Sequence, residues 1–418
     1  MSKNFYMDNI GKNAKIASNE LSSISLKKKN KVLKTFSNYL KSKSNLILRE
    51  NKKDIYKARK LPVSLIKRLE LNEEKINQIR KSIKQIINFK DPVGKTLSSW
   101  TRPNGLVIKK ISIPIGVIGV IYESRPNVTA DVSVLCFKSG NATILRGGSE
   151  AFYSNKILSD LFRKSLKEVG CNENCVQFIR KQHRSNVDYL LARMKSYVDI
   201  IIPRGGKSLV KKVQSKSKIP TIGHLEGICH VYIDHKADLD MAIKIVKNSK
   251  MRNFSICGAA ETLLIDFACV KTHCKPIINE LIKLDCEIIA DTTIIKHSGK
   301  RIKIATQKDW DTEYLAPKIS IKCVDGVNEA IKHINKHGTS HTDTIVTNNK
   351  KTAEKFLSGV SSSIAILNAS TQFSDGGEFG FGAEVGISTQ KTNPRGPVGL
   401  NQLTVYKYIL KGKGQVRK

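Results

Sequence analysis

From the first residue to about position 90 apolar side chains return every three or four positions, as in "VLKTFSNYLKSKSNLI", with lysine, serine and asparagine between them. A stripe of that period predicts amphipathic helices. The register then changes. In "RPNGLVIKKISIPIGVIGVIYES" β-branched residues alternate after Asn104-Gly105, a strong hairpin signal, and a protruding two-stranded ribbon is expected over about 99–116. From Ile115 onward short apolar runs alternate with helical spacing: "GVIGVIYES", a helix over "VTADVSVLCFKSG", "ATILRG", a helix after "GGSEA", then "VDIIIPRGG" before "KSLVKKVQ". This is the rhythm of a parallel α/β sheet with crossover helices.

A second such series follows "HVYIDHKADLDMAIKIVKNSK", with strands at "ETLLID", "KISIKCV", "DTIVT" and "SIAILNAS" and helices at "KPIINELIKL", "VNEAIKHINKHG" and "KTAEKFLSG". The expected organisation is a first α/β domain over 1–231 interrupted by the ribbon, a second over 232–364, and a return segment over 365–418. The stretch "SDGGEFGFGAEVGISTQKTNPRGPVGL" is glycine-dense and too polar for a core, so it reads as an ordered loop. The last strand, "QLTVYKYILKG", pairs either with the ribbon or with another subunit.

Length and composition narrow the class. A chain of 418 residues divides into more than one domain. No apolar run approaches the roughly 20 residues of a membrane span, and the N-terminus lacks the apolar core of a secretory signal. A cytoplasmic protein without membrane attachment is expected. The nine cysteines are an odd, scattered set and read as reduced thiols. The pair in "CNENC" and the group in "CVKTHC" fall short of four convergent ligands, so no metal is expected. The formal charge of +36 raises the question of nucleic acid. Its lysines lie all along the chain on helix faces without interleaved aromatics, which reads as solvated surface and not as a nucleic-acid interface.

Three places could carry chemistry. "ILRGGSEA" and "IIPRGGKS" each join a strand to a helix through glycines, where free backbone N–H groups attract anions. Arg146 offers a bidentate phosphate donor there, Gly147 and Gly148 allow close approach, and Ser149 can cap the helix. Arg204, Gly205 and Gly206 are the counterpart. Neither matches a dinucleotide or P-loop pattern, and an ordinary tight turn is the competing reading. The third place is Cys257 in "NFSICGAAETLL". It is either a small core filler or a nucleophile, for which "CGAAE" leaves space and backbone donors.

Seven blocks taken in order resemble the gamma-glutamyl phosphate reductases of the aldehyde dehydrogenase superfamily: "IPIGVIGVIYESRPNVTADVSVLCFKSGNATILRGGSEA", "IIPRGGKSLV", "CHVYIDHKADLDMA", "ICGAAETLL", "WDTEYLAP", "NASTQFSDGGEFGFGAEVGISTQK" and "RGPVGLNQLTVYKY". The resemblance covers essentially the whole chain. It implies an aldehyde dehydrogenase-like α/β fold with parallel-rich sheets: a nicotinamide-binding domain, a catalytic domain with Cys257, and an oligomerisation element of ribbon and C-terminal strand.

By the same resemblance Cys257 is the catalytic cysteine, and Asn127 the amide that helps hold an oxyanion. Arg146, Gly147, Gly148, Ser149, Glu150, Arg204, Gly205, Gly206 and Glu313 fall where relatives contact NADPH/NADP+. Asn127 as a helix cap and Glu313 as a surface carboxylate are the alternatives. The implied activity is NADPH-dependent reduction of L-glutamyl 5-phosphate to glutamate 5-semialdehyde and phosphate through a cysteine thioester, in proline biosynthesis. Implied with it are a homo-oligomer, dimer or tetramer, and functional coupling to glutamate 5-kinase. Oxidation of a free aldehyde is the rival chemistry within the superfamily.

The chain departs from many relatives at "TIGHLEGICH" and "MRNFSICGAAE", both on the approach to the cysteine. His224 stands near where oxidising relatives carry a deacylating glutamate, and Glu226 is close enough in sequence to serve as an acid or base. Ser370 and Thr371 are candidates for gripping the substrate's amino and carboxylate groups.

Overall fold

A computed structural model of the protein describes residues 4–417. The chain forms two compact units: one runs to Gly223 and takes in Gly380–Ile387 and the stretch from Val398, the other holds His224–Phe379 and Ser388–Pro397.

The first unit begins with the expected helices, Phe5–Leu21, Leu26–Ser42, Ser44–Lys57, Val63–Leu69 and Glu73–Asn88. The last shows how local sequence makes them. Ile76, Ile79, Ile83 and Ile86 fall on one buried stripe, Glu73 and Glu74 sit in the first turn, and Asn72 accepts the Lys75 N–H at 2.8 Å as N-cap. Behind them lies a four-stranded parallel sheet in the order Val176–Phe178, Ala142–Gly147, Val117–Tyr122, Ile200–Arg204. The two central strands are buried at every position, which is why they read as unbroken apolar runs. Helix Pro126–Lys138 is β-branched-rich yet helical, because Pro126 starts it and it is buried almost all round. Strand Val176–Phe178 and helix Arg184–Arg193 escape the sequence pattern; one is too short for a period and the other too polar.

The hairpin signal also holds. Strands Thr96–Thr101 and Val107–Pro114 pair antiparallel, and Gly105, at φ +83°, closes the turn by donating to the Arg102 carbonyl at 2.9 Å. The C-terminal strand Thr404–Lys411 lies on the other edge of Val107–Pro114, from Thr404 opposite Pro114 to Lys411 opposite Val107. Of the two partners open to it from sequence, it takes the ribbon of its own chain.

The second unit is built on a seven-stranded parallel sheet in the order Lys303–Ile304, Glu287–Ala290, Lys318–Val324, Ala260–Asp266, Cys229–Ile233, Thr342–Val346, Ile364–Leu367. Side chains alternate between two apolar layers. Val231, Ile233, Leu263 and Ile265 pack with helices Leu239–Met251 and Val270–Ile282, while Tyr232, Leu264 and Ile345 pack with Ile334 and Phe356. The glycine-dense segment is mostly loop, with two three-residue strands, Gly386–Ser388 and Gly396–Val398. Among the described residues no helix is long and apolar enough to cross a membrane.

The Lys250–Glu261 ion pair is sealed in this unit. Lys250 Nζ donates to Glu261 Oε2 at 2.5 Å, and neither side chain exceeds 1% exposure. Burial outweighs the lysine and pushes the Glu261 carboxyl up to about 7. An acid whose folded value is raised loses native-state stability as pH climbs through that interval. Lys250→Met should therefore cost about 3 kcal/mol at pH 8, by urea unfolding, and less at pH 6, where Glu261 is protonated. The double variant Lys250→Met, Glu261→Met should recover most of the loss.

Candidate active site

Eight of the nine thiols are poor nucleophiles by position. Burial pushes Cys136, Cys175, Cys269, Cys274 and Cys286 up to about 12 and Cys323 to about 11. Cys171 is raised too, and Cys229 is driven well above the ordinary range by burial and then by Asp343. The ninth, Cys257, is half-buried on the loop between helix Leu239–Met251 and strand Ala260–Asp266.

That loop is held on two sides by glycines. A Cβ on Gly227 would stand 2.1 Å from the Cys257 carbonyl oxygen, so only glycine permits this backbone approach. A Cβ on Gly258 would stand 2.5 Å from Ser374 Oγ. Thr371 Oγ1 donates to the Gly258 carbonyl at 2.7 Å, Arg252 Nε to Gln372 Oε1 at 2.8 Å, and Gln372 Nε2 to the Ser249 carbonyl at 2.8 Å. Segment 370–374 is thus the brace of the cysteine loop. Ser370 and Thr371 are buried, and their hydroxyls serve this brace: Ser370 Oγ meets Ser249 Oγ at 3.1 Å.

Cys257 lies near the amino ends of three neighbouring strands. Cys229 Sγ donates to the Cys257 carbonyl at 3.2 Å and lies 3.5 Å from His341 Nδ1. His224 and His341 stand edge to face with centroids 5.0 Å apart, and one nitrogen of each lies within 4.8 Å of the other and of Cys257 Sγ. His341 gave no sequence signal, since its partners come from remote strands. Glu313 belongs to the same neighbourhood: its Oε1 accepts the Gly227 N–H at 2.9 Å, fixing the glycine that packs on Cys257. Glu226 is half-buried beside Gly227 in sequence.

The other expected residues gather in the first unit, at the carboxyl ends of its parallel strands, where α/β sheets take ligands. Arg146 is buried, with Nη2 donating to the Gln182 carbonyl at 3.0 Å and Nη1 to the Gly147 carbonyl. Its Nε and the Asn155 amide nitrogen are buried with no hydrogen-bond partner. Ser149 opens a 3-10 turn and does not cap it; the capping position is Gly148. Glu150 Oε1 accepts from Ser124 N at 2.7 Å and Ser124 Oγ at 3.0 Å, and folds over Gly148, where a Cβ would meet it at 2.0 Å. At the second glycine turn Glu123 Oε2 accepts the Gly206 N–H at 2.9 Å and fills the space beside Gly205, while Arg204 faces Glu384 at 3.8 Å. Sequence reasoning missed Glu123, whose role depends on two strands being adjacent.

Asn127 is not a cap. Arg125 holds the N-cap position of helix Pro126–Lys138, and Asn127 Nδ2 donates to Asp131 Oδ2, one turn on, at 3.0 Å. Burial pushes the Asp131 carboxyl up to about 6 against the pull of that bond and of Arg204.

Comparison with known proteins gives these two groups a common context. The model of the aldehyde dehydrogenase family matches residues 3–294. A protein of Paramagnetospirillum magneticum named gamma-glutamyl phosphate reductase is 47% identical over 413 residues, covering 98% of this chain and 97% of its own. A namesake from Parvibaculum lavamentivorans matches at 47% with the same coverage. The crystal structure of gamma-glutamyl phosphate reductase from Thermotoga maritima superposes with a TM-score of 0.96 at 40% identity, over 99% of this chain and 100% of that one. An engineered glycolyl-CoA reductase with bound NADP+ shares the fold at 16% identity and a TM-score of 0.66, over 96% of each chain. With full-length identity at this level and near-complete superposition, the chain belongs to the gamma-glutamyl phosphate reductases of the aldehyde dehydrogenase family.

Proposed function

We propose that the chain reduces L-glutamyl 5-phosphate to L-glutamate 5-semialdehyde with release of phosphate, the second step from glutamate to proline, with NADPH as reductant. The observation that carries this reading is Cys257 itself: a half-buried thiol on a braced loop, in a chain 47% identical along 98% of its length to a protein of that name.

In the mechanism Cys257 Sγ, as thiolate, attacks the acyl carbon. The phosphate leaves with the electron pair of the C–O bond, and a thioester remains. Asn127 and the Cys257 backbone N–H are assigned to the carbonyl oxygen; Asn127 Nδ2 has a second N–H beyond the one given to Asp131. The bracing from Thr371, Gln372 and Gly227 holds the sulfur in place, so that little reorganisation is left for the reaction.

For the nicotinamide nucleotide the first unit offers a fitting cradle. The partnerless nitrogens of Arg146 and Asn155 at these strand ends suit a phosphate-bearing ligand, for which Glu150, now folded over Gly148, would swing aside. Arg146, Gly147, Gly148, Ser149, Glu150, Arg204, Gly205 and Gly206 are assigned to it, and Glu313 to the nicotinamide ribose. Bound, the reduced nucleotide supplies the hydride that takes the acyl group to the aldehyde level.

The exposed Trp100, Tyr406, Tyr408 and Leu410 on the three-stranded sheet support a role for that sheet in a homo-oligomer. An acyl phosphate is short-lived in water, which supports supply from a glutamate 5-kinase in the cytoplasm.

Cys257→Ser should abolish NADPH oxidation in an assay coupled to a glutamate kinase while leaving NADPH binding, followed by nicotinamide fluorescence, nearly intact; full turnover in that variant would end the nucleophile assignment. Asn127→Ala should lower kcat about a hundredfold. An unchanged rate would leave Asn127 a purely helical role.

A further inference from the structure

We propose that Cys257, His224 and His341 form a binding site for a zinc-class divalent cation, and that a metal held there withdraws the sulfur from the reaction. The second half rests on Cys257 being the nucleophile; the site itself does not.

One ring nitrogen of each histidine and Cys257 Sγ already lie within 4.8 Å of one another. Ligand atoms around a tetrahedral zinc stand roughly 3–4 Å apart, since each is about 2.0–2.3 Å from the metal. Small side-chain rotations close the difference, and His224 and Cys257 are half-buried, not sealed in the core. His341 is the fixed member. Its ring is buried at the head of strand Thr342–Val346, with Nδ1 against Thr342 Oγ1 at 2.9 Å and Cys229 Sγ at 3.5 Å. Its Nε2 is buried with no hydrogen-bond partner. A buried ring nitrogen left unmatched is costly, and partners at the other nitrogen are how metal-bound imidazoles are held and their tautomer set.

Two imidazoles and one thiolate make three protein ligands with a fourth position open. That donor set favours zinc and its soft neighbours over magnesium or calcium. Cys229 is not counted as a fourth ligand: it is buried and its thiol donates to the Cys257 carbonyl. Binding joins the metal to Cys257 Sγ, with any thiol proton released to solvent and no change of oxidation state. The three ligands come from separate loops, and no spacing along the chain announces them.

Cobalt(II) is the probe, titrated into the reduced, metal-free full-length protein. The expected result is a near-ultraviolet thiolate-to-cobalt band that saturates at one metal per chain and is displaced by zinc. Cys257→Ser should remove the band. His224→Asn and His341→Asn should each weaken binding roughly tenfold or more, with the circular dichroism of the wild type as the check on folding. No such band, or a band undiminished in Cys257→Ser, overturns the site. Zinc should also suppress turnover and EDTA restore it; a band with turnover untouched would uphold the site and overturn both the masking and the nucleophile role of Cys257.

Discussion

The backbone approach of Gly227 to the Cys257 carbonyl is the constraint on which the catalytic unit turns. A single Cβ at Gly227 would enter that carbonyl oxygen, and the same glycine is tethered through its N–H to Glu313. Two residues on, Cys229 begins a central strand and spends its thiol proton on the same Cys257 carbonyl. The entry to one strand and the loop before its neighbour are thereby fixed together. The sulfur inherits its position from main chain packed against Gly227 and braced by the Thr371 and Gln372 side chains.

Electrostatics divide sharply between surface and interior. Most of the lysine excess lies on exposed helix faces, whereas the sealed Lys250–Glu261 pair lies between helix Leu239–Met251 and the strand that follows Cys257. Burial raises eight thiols above the range of a reactive cysteine. Chemistry is concentrated at Cys257 because the rest of the protein withholds it elsewhere.

The first unit places acidic side chains where glycine turns would otherwise stand open: Glu150 over Gly148 and Glu123 against Gly205 and Gly206. Each carboxylate is held by backbone N–H groups of the kind that receive phosphate in α/β sheets. Both turns therefore rest in a satisfied state, with Arg146 Nε and Asn155 Nδ2 as the unmatched polar atoms beside them.

The chain's own pattern determined the leading helices, the ribbon and its turn and the parallel α/β rhythm, whereas it left Cys257 open between core filler and nucleophile, and the family resemblance made it the candidate sulfur. Those elements follow from local periodicity, or from glycines whose spacing needs no partner to be read. Strands Val176–Phe178, Glu287–Ala290 and Lys303–Ile304 stayed hidden, being two to four residues long and defined only by their neighbours. Tertiary structure alone decided that the last strand returns to its own ribbon, that Ser370 and Thr371 brace the cysteine loop, that Asn127 answers to Asp131, and that His341 stands beside Cys257. The physical reason is common to all four: sheet order and loop packing join residues far apart in sequence, and a side chain's partner is a property of that juxtaposition and not of its neighbours along the chain.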